Sequence, residues 1–177
     1  MGQKILVVED NELNLKLFCD LLRAHGYAAE PVRDGREAVE RARDFAPDLI
    51  VMDIQMPYIS GLELIEQLKS DAELKRVPIM AVTAYAAKGD EERIRDAGAE
   101  GYVSKPISLM KFIGSVQALL QAAAERAEEA AAAVEEAPLE EAAAESPAPN
   151  VDQAENPEED PRLPDDVAEG EEPPRLT

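Results

Sequence analysis

The stretch ILVVEDNELN, residues 5–14, contains the pattern on which most of the chain is built. Four apolar residues typical of a buried strand are followed at once by Glu9 and Asp10, and then by a segment with helical periodicity. Carboxylates at the end of a buried strand are costly unless they reach water or are paired with positive charge. The pair therefore belongs either to a solvated turn, in which Asn11 caps the following helix, or to a cation site.

The order of a strand followed by a helix occurs five times in residues 1–121. Continuously apolar strands joined by helices indicate a parallel sheet that is covered on both faces. For five strands, right-handed crossovers favour a flavodoxin-like (βα)5 fold of the α/β class, a doubly wound five-stranded sheet with the order 2-1-3-4-5. The predicted strands are 3–8, 28–32, 48–53, 78–83 and 101–104.

The first helix carries most of the notable single residues. Its apolar face is predicted from the spacing of five large side chains, and Gly26 follows where a C-cap glycine is expected, as Gly98 does later in the chain. His25, the only histidine, is predicted to act as a capping cation at the helix end. Cys19, the only cysteine, is predicted to be a structural thiol. The face consists of Leu13, Leu17, Phe18, Leu21 and Leu22.

Polar residues follow four of the predicted strands. Glu9 and Asp10 follow strand 1 and Asp53 ends strand 3, whereas Thr83 ends strand 4 and Lys105 follows strand 5. The carboxyl ends of parallel strands share one edge of the sheet, and in the predicted order strands 1 and 3 are neighbours at the point where ligands bind. We expect these five side chains to meet there.

Three neighbouring carboxylates repel one another unless a cation lies among them. Mg²⁺ prefers oxygen ligands and often serves phosphate chemistry. Asp10 and Asp53 are the predicted direct ligands, Glu9 is expected to act through a water molecule, and the backbone carbonyl of Gln55 is the third predicted protein ligand. The sequence thus predicts a magnesium site.

The remaining groups suit a phosphoryl group. Lys105 can neutralise one phosphate oxygen and the Thr83 hydroxyl can donate a hydrogen bond to another. A carboxylate can act as a nucleophile, so the predicted reaction is phosphoryl transfer onto Asp53, followed by attack of water on the aspartyl phosphate.

Five motifs, taken in order, resemble the signature of response-regulator receiver domains. They are VVEDN at 7–11, MD at 52–53, QMPYISG at 55–61, AVTAY at 81–85 and YVSKP at 102–106. The resemblance covers about residues 3–121 and implies that Asp53 is the phosphoacceptor, Glu9 and Asp10 the acidic pair, Thr83 the switch hydroxyl and Lys105 the phosphate-binding lysine. It also implies a switch role for Tyr102 and a cis peptide bond between Lys105 and Pro106.

Four longer segments are similar to single-domain cell-division regulators of the alphaproteobacteria. They are EDNELNLKLFCDLL, DIQMPYISGLE, TAYAAKGDEERIRDAG and YVSKPIS. The similarity implies a cytoplasmic switch protein, rather than a turnover enzyme, that a histidine kinase or phosphotransfer protein phosphorylates and that acts on protein partners in cell-cycle control. Glu9 departs from the Asp that is commoner in the wider family. Because that position usually acts through water, metal binding is expected to survive.

Other functions fit the sequence less well. A phosphatase of the haloacid dehalogenase type would need a second acid two residues after the nucleophile, where this chain has Gln55. A nucleotide-binding α/β protein would need a glycine-rich phosphate loop after strand 1, and none is present. A pseudo-receiver that acts as an adaptor without phosphorylation remains an alternative.

Charge divides the chain into two predicted parts. Residues 1–121, the predicted receiver domain, carry 20 acidic and 15 basic side chains, whereas residues 122–177 carry 18 and 3. The second part is predicted to be an Ala/Glu-rich helical extension followed by a disordered Pro/Glu-rich acidic tail. This acidity argues against nucleic acid and anionic lipid as partners. The single cysteine and the lack of a long apolar run or signal-peptide pattern predict a cytoplasmic protein that does not insert into a membrane.

Residues 122–177 lack the length, basic charge and apolar pattern of a DNA-binding or enzymatic module. Output is therefore expected through protein contacts on the surface of the fourth helix, fifth strand and fifth helix. The candidate exposed residues on that surface are Lys88, Glu92, Arg95, Lys111 and Phe112.

Overall fold

A computed structural model describes residues 2–84 and 89–135. Five strands alternate with five helices, and each predicted strand lies within one residue of its observed ends. A short 3-10 turn, Gly35–Glu37, precedes the second helix. The elements are β1 Lys4–Val8, α1 Glu12–Ala24, β2 Ala28–Val32, α2 Ala38–Phe45, β3 Leu49–Asp53, α3 Gly61–Ser70, β4 Ile79–Thr83, α4 Asp90–Asp96, β5 Gly101–Ser104 and α5 Leu109–Glu135.

The five strands form one parallel sheet in the order β2-β1-β3-β4-β5, so the predicted fold is confirmed. Its register matters for the site. Val8 of β1 lies beside Met52 of β3, and Asp53 lies beside Val82 of β4. The residues that follow these positions, Glu9 and Thr83, are therefore brought next to Asp53 at the carboxyl edge of the sheet.

Two apolar clusters cover the two faces of the sheet. Alternation along each strand sends Ile5 and Val7 to the cluster beneath α1 and α5, and Leu6 and Val8 to the cluster beneath α2, α3 and α4. Strand residues are consequently buried on both sides, which explains their uninterrupted apolar sequence.

The predicted inward face of α1 is partly wrong. Leu13 is 78% exposed and Leu17 is 47% exposed, whereas Leu15 and Cys19 are buried together with Phe18 and Leu22. Because this helix has large apolar residues on more than one side, two stripes fit its periodicity. Tertiary contacts select the stripe in which Phe18 stacks on Phe112 of α5, with ring centroids 5.0 Å apart.

Helix ends follow the local sequence. The Asn11 side chain accepts hydrogen bonds from the backbone N–H groups of Leu13 and Asn14, both at 3.1 Å, and so caps α1. His25 ends α1 as predicted, with its Nδ1 atom 2.8 Å from the carbonyl oxygen of Leu21. Gly26 follows with a positive φ of 86°.

Helix α5 continues through the predicted boundary at residue 121 and reaches Glu135. Residues 122–135, which begin the predicted Ala/Glu-rich extension, are thus helical. The predicted acidic tail beyond it lies outside the described residues. Within the part of the chain that the structure describes, no helix has both the length and the apolar character needed to cross a membrane.

Candidate functional site

Three carboxylates meet at the carboxyl edge of the sheet. Glu9, Asp10 and Asp53 each offer an oxygen atom within 4.8 Å of the others. Glu9 and Asp53 are almost fully buried, whereas Asp10 is half-buried. The ends of β1 and β3 are neighbours in the sheet and bring these three carboxylates together.

Lys105 lies against two of these carboxylates. Its ammonium donates hydrogen bonds to Asp53 Oδ2 at 2.7 Å and to Glu9 Oε2 at 3.0 Å. The lysine follows β5, two strands away from Asp53, and its long side chain spans that gap. The peptide bond between Lys105 and Pro106 is cis, as the resemblance implied.

The remaining oxygens of the buried pair also have partners. Asp53 Oδ1 accepts a hydrogen bond from the backbone N–H of Gln55 at 2.9 Å. Glu9 Oε1 accepts hydrogen bonds from the backbone N–H of Asn11 at 3.2 Å and from the side-chain amide of Asn14 at 3.4 Å. Both carboxylates are thus held in fixed orientations, and each of their buried oxygens has a hydrogen-bond partner.

Burial and charge shift the ionisation of this group. Burial raises the pKa of Glu9, and the negative charge of Asp53 adds to that effect, while the hydrogen bond from Lys105 opposes it. Burial by itself would lower the pKa of Lys105, but its hydrogen bonds to Asp53 and Glu9 outweigh burial and raise it. Lys105 is therefore a charged ammonium at neutral pH.

The donor set fits a hard divalent cation. With all groups ionised, three carboxylates and one ammonium leave two uncompensated negative charges, which Mg²⁺ would balance. The ligand atoms that the side chains offer are all oxygens. The direct roles of Asp10 and Asp53, the water-mediated role of Glu9 and the Gln55 carbonyl as a ligand stay predictions.

Thr83 is buried at the end of β4. It lines a small cleft together with Gln55 from the β3–α3 loop and Arg93 from α4. The structure thus brings Thr83 to the same edge as the three carboxylates and Lys105. All five residues that were predicted to meet there do so.

Tyr102 of β5 is half-buried and lies next to α4. The carboxylate of Glu91 faces its hydroxyl and raises the pKa of Tyr102. Arg95, one turn further along α4, holds the same carboxylate through two hydrogen bonds of 3.1 and 3.0 Å. Tyr102 therefore contacts α4, at the surface that was predicted to bind a protein partner.

Phe112 was wrongly predicted to be exposed on that surface. Its side chain is 0% exposed and stacks on Phe18 in the core. The inward stripe of α5 contains Phe112 and Val116, so the exposed residue next to it is Lys111. Glu92 and Arg95 are exposed on α4 as predicted, whereas Lys88 lies outside the described residues.

Two residues of the site were not predicted from the sequence. Asn14 contacts Glu9 from the first turn of α1, with its side-chain amide 3.4 Å from Glu9 Oε1. Arg93 reaches the site only because α4 packs beside the β3–α3 loop. No local pattern signals that contact.

Comparisons with known proteins agree with this site. Residues 5–117 match the model of the response regulator receiver domain. The polar-differentiation response regulator DivK of Brucella anthropi is 54% identical over 120 residues, which cover 68% of this chain and 98% of that protein.

Solved structures extend the comparison. The receiver domain of the sensor histidine kinase PA1611 from Pseudomonas aeruginosa is 35% identical, with a TM-score of 0.64 over 68% of this chain and 99% of that one, and it has a magnesium ion coordinated in its active site cleft. The chemotaxis protein CheY4 of Vibrio cholerae is 26% identical, with a TM-score of 0.65 over 67% of this chain and 99% of that one. Together with its own sheet order and carboxylate cluster, these matches show that the chain belongs to the response regulator receiver family.

Proposed function

We propose that this chain is a phosphorylation switch in which Asp53 accepts a phosphoryl group from a histidine kinase or a phosphotransfer protein. The observation that carries the proposal is the contact of Lys105 with Asp53 at 2.7 Å, within a cluster of three carboxylates at the carboxyl edge of the sheet. A buried ion pair of this kind is a poor source of stability, so a chemical role accounts better for its presence.

The proposed first step is nucleophilic attack by a carboxylate oxygen of Asp53 on the phosphorus of a phosphohistidine. A P–O bond forms, the P–N bond breaks, and the electron pair of that bond stays on the imidazole, which takes up a proton. Lys105 neutralises one phosphoryl oxygen and the hydroxyl of Thr83 donates a hydrogen bond to another. Asp10, Asp53 and the Gln55 carbonyl would hold Mg²⁺, with Glu9 acting through water, and the bound ion would further neutralise the phosphoryl oxygens.

The proposed return step is hydrolysis. Water attacks the phosphorus, the P–O bond to Asp53 breaks, and inorganic phosphate leaves with the carboxylate restored. The chain thus returns to its starting state and acts on no external substrate in turnover.

We propose that output follows from contact with a protein partner on α4, β5 and α5. Thr83 would move toward the phosphoryl group and Tyr102 would follow, which shifts the population between two packings of α4. Glu92, Arg95 and Lys111 are the exposed candidates for the partner contact. The match to the polar-differentiation response regulator DivK supports a role in polar differentiation, and we propose that this role is cytoplasmic and belongs to cell-cycle control.

Acetyl phosphate and intact mass spectrometry test the chemistry. The full chain is incubated with acetyl phosphate, with and without Mg²⁺, beside the Asp53→Asn variant. We expect the gain of one phosphoryl group that requires Mg²⁺, decays with time and is absent from the variant. A folded chain that gains none from acetyl phosphate or from a phosphorylated histidine phosphotransfer protein would refute the switch and favour the pseudo-receiver alternative.

A further inference from the structure

Arg93 is a cation of the site cleft that the proposed chemistry does not use. It lies on α4 and lines the small cleft that Gln55, Thr83 and Asp90 also line. Its side chain is exposed. Among residues 2–84 and 89–135, no carboxylate lies within 4.0 Å of its guanidinium, whereas Arg95 on the same helix is paired with Glu91 at 3.0 Å.

The charge balance of the site gives Arg93 a role. Lys105 already shares its charge between Glu9 and Asp53. Phosphorylation replaces the single negative charge of Asp53 with roughly one and a half to two negative charges and three strong acceptor oxygens. One shared ammonium leaves part of that charge uncompensated even with a divalent cation present. A guanidinium is suited to phosphoryl oxygens because its planar array of donors can bind two of them at once.

We infer that Arg93 binds the phosphoryl group on Asp53 as its second protein cation, in addition to Lys105. This inference rests on the proposed function, since it needs a phosphoryl group on Asp53. It has a structural consequence. Arg93 belongs to α4, which also carries Glu91 against Tyr102, so the same contact connects the phosphorylation state directly with the position of α4.

The test uses beryllium fluoride, which forms a stable mimic of the phosphoryl group on a carboxylate in the presence of Mg²⁺. Its dissociation constant is measured by titration calorimetry for the full chain and for Arg93→Gln, Arg93→Lys and Arg76→Gln. Arg76 is a matched control, because it is also exposed and without a carboxylate within 4.0 Å in the described ranges, but it precedes β4 at the opposite edge of the sheet.

We expect Arg93→Gln to weaken beryllium fluoride binding about tenfold, which is typical of the loss of one charge-assisted hydrogen bond. Arg93→Lys should recover part of the loss, and Arg76→Gln should bind like the wild type. The affinity for Mg²⁺ alone should be unchanged or slightly higher in Arg93→Gln, because the variant removes a nearby positive charge.

Two results would overturn the inference while leaving the proposed function intact. One is equal beryllium fluoride affinity of Arg93→Gln and wild type. The other is a loss of Mg²⁺ affinity in Arg93→Gln that is as large as its loss of beryllium fluoride affinity, which would indicate general damage to the site. If the wild type bound Mg²⁺ but no beryllium fluoride, the proposed function would fail, and this inference with it.

Discussion

Lys105 donates hydrogen bonds to Asp53 at 2.7 Å and to Glu9 at 3.0 Å, so that a single ammonium holds two buried carboxylates together. The relationship joins residues that are 96 and 52 positions apart in the chain. It connects β5 to β1 and β3 across the carboxyl edge of the sheet. Stability and chemistry therefore depend on the same contacts.

Lys105→Gln should destabilise the fold at neutral pH. The variant leaves Glu9 and Asp53 as two uncompensated charges that are 1% and 3% exposed. Removing one partner of a buried ion pair costs about 3–5 kcal/mol, and the lower end applies because the Lys105 side chain is 22% exposed. Urea unfolding of the variant measures the loss, with Lys111→Gln as a surface control. Equal stability of the two variants would show that Lys105 does not compensate the buried pair.

The raised pKa of Glu9 predicts that the stability of the fold depends on pH in the absence of Mg²⁺. Burial raises the pKa of Glu9 above its ordinary value of 4.5, so the folded state binds this proton more tightly than the unfolded state does. The stabilisation from the protonated acid is complete below pH 4.5 and is lost as the pH rises through the folded pKa. The glutamine side chain in Glu9→Gln is neutral at every pH, so this variant does not lose stability in this way as the pH rises.

The measurement is the free energy of unfolding of wild type and Glu9→Gln at several values from about pH 4 to about pH 7, with a chelator present. As the pH rises, the free energy of unfolding of Glu9→Gln should increase relative to that of the wild type. A difference that stays constant across this range would mean that Glu9 has the same pKa in the folded and unfolded states.

Asp10→Asn should weaken Mg²⁺ binding. The variant removes one of three clustered carboxylates, and the affinity of such sites depends on how many charged ligands they contain. We expect a loss of about tenfold or more in Mg²⁺ affinity by titration calorimetry. Asp44→Asn, an exposed acid on α2, is the control. Lys105→Gln should change the affinity in the opposite direction, because it removes a competing positive charge, and a parallel loss in both variants would contradict the electrostatic account.

The sheet and the carboxylate cluster could be predicted because both depend on local signals. Buried parallel strands are apolar on both sides, so their ends are marked by the first polar residue, as at Glu9, Asp53 and Thr83. The strand order then places those ends together. A residue that ends a strand can therefore be assigned to the site before any contact is known.

Helix faces were less predictable, for a physical reason. Periodicity identifies an apolar stripe only when the other sides of a helix are polar. Helix α1 places Leu13 and Leu17 outside the core, and α5 buries Phe112, which was predicted to be exposed. Arg93 presents the same difficulty, since its place in the cleft depends on how α4 packs rather than on the sequence around it.

Gly61→Ala should disturb Asp53 through the backbone. A Cβ atom at Gly61 would lie 2.4 Å from the carbonyl oxygen of Asp53 and 2.6 Å from the Cα of Ile54, so the end of β3 or the start of α3 must shift. Overpacking of this kind costs about 1–3 kcal/mol. The shift also moves the phosphoacceptor relative to Lys105, so phosphorylation by acetyl phosphate should be slower.

Gly114→Ala is the matched control, because a Cβ atom at Gly114 meets nothing within 4 Å. Alanine also favours the helix over glycine by about 1 kcal/mol, so this variant should be at least as stable as the wild type and should be phosphorylated at the same rate. Urea unfolding and the rate of phosphoryl gain by intact mass, measured for both variants, separate the two outcomes. If Gly61→Ala were phosphorylated as fast as Gly114→Ala, the position of Asp53 would not depend on the close approach of α3 to the end of β3.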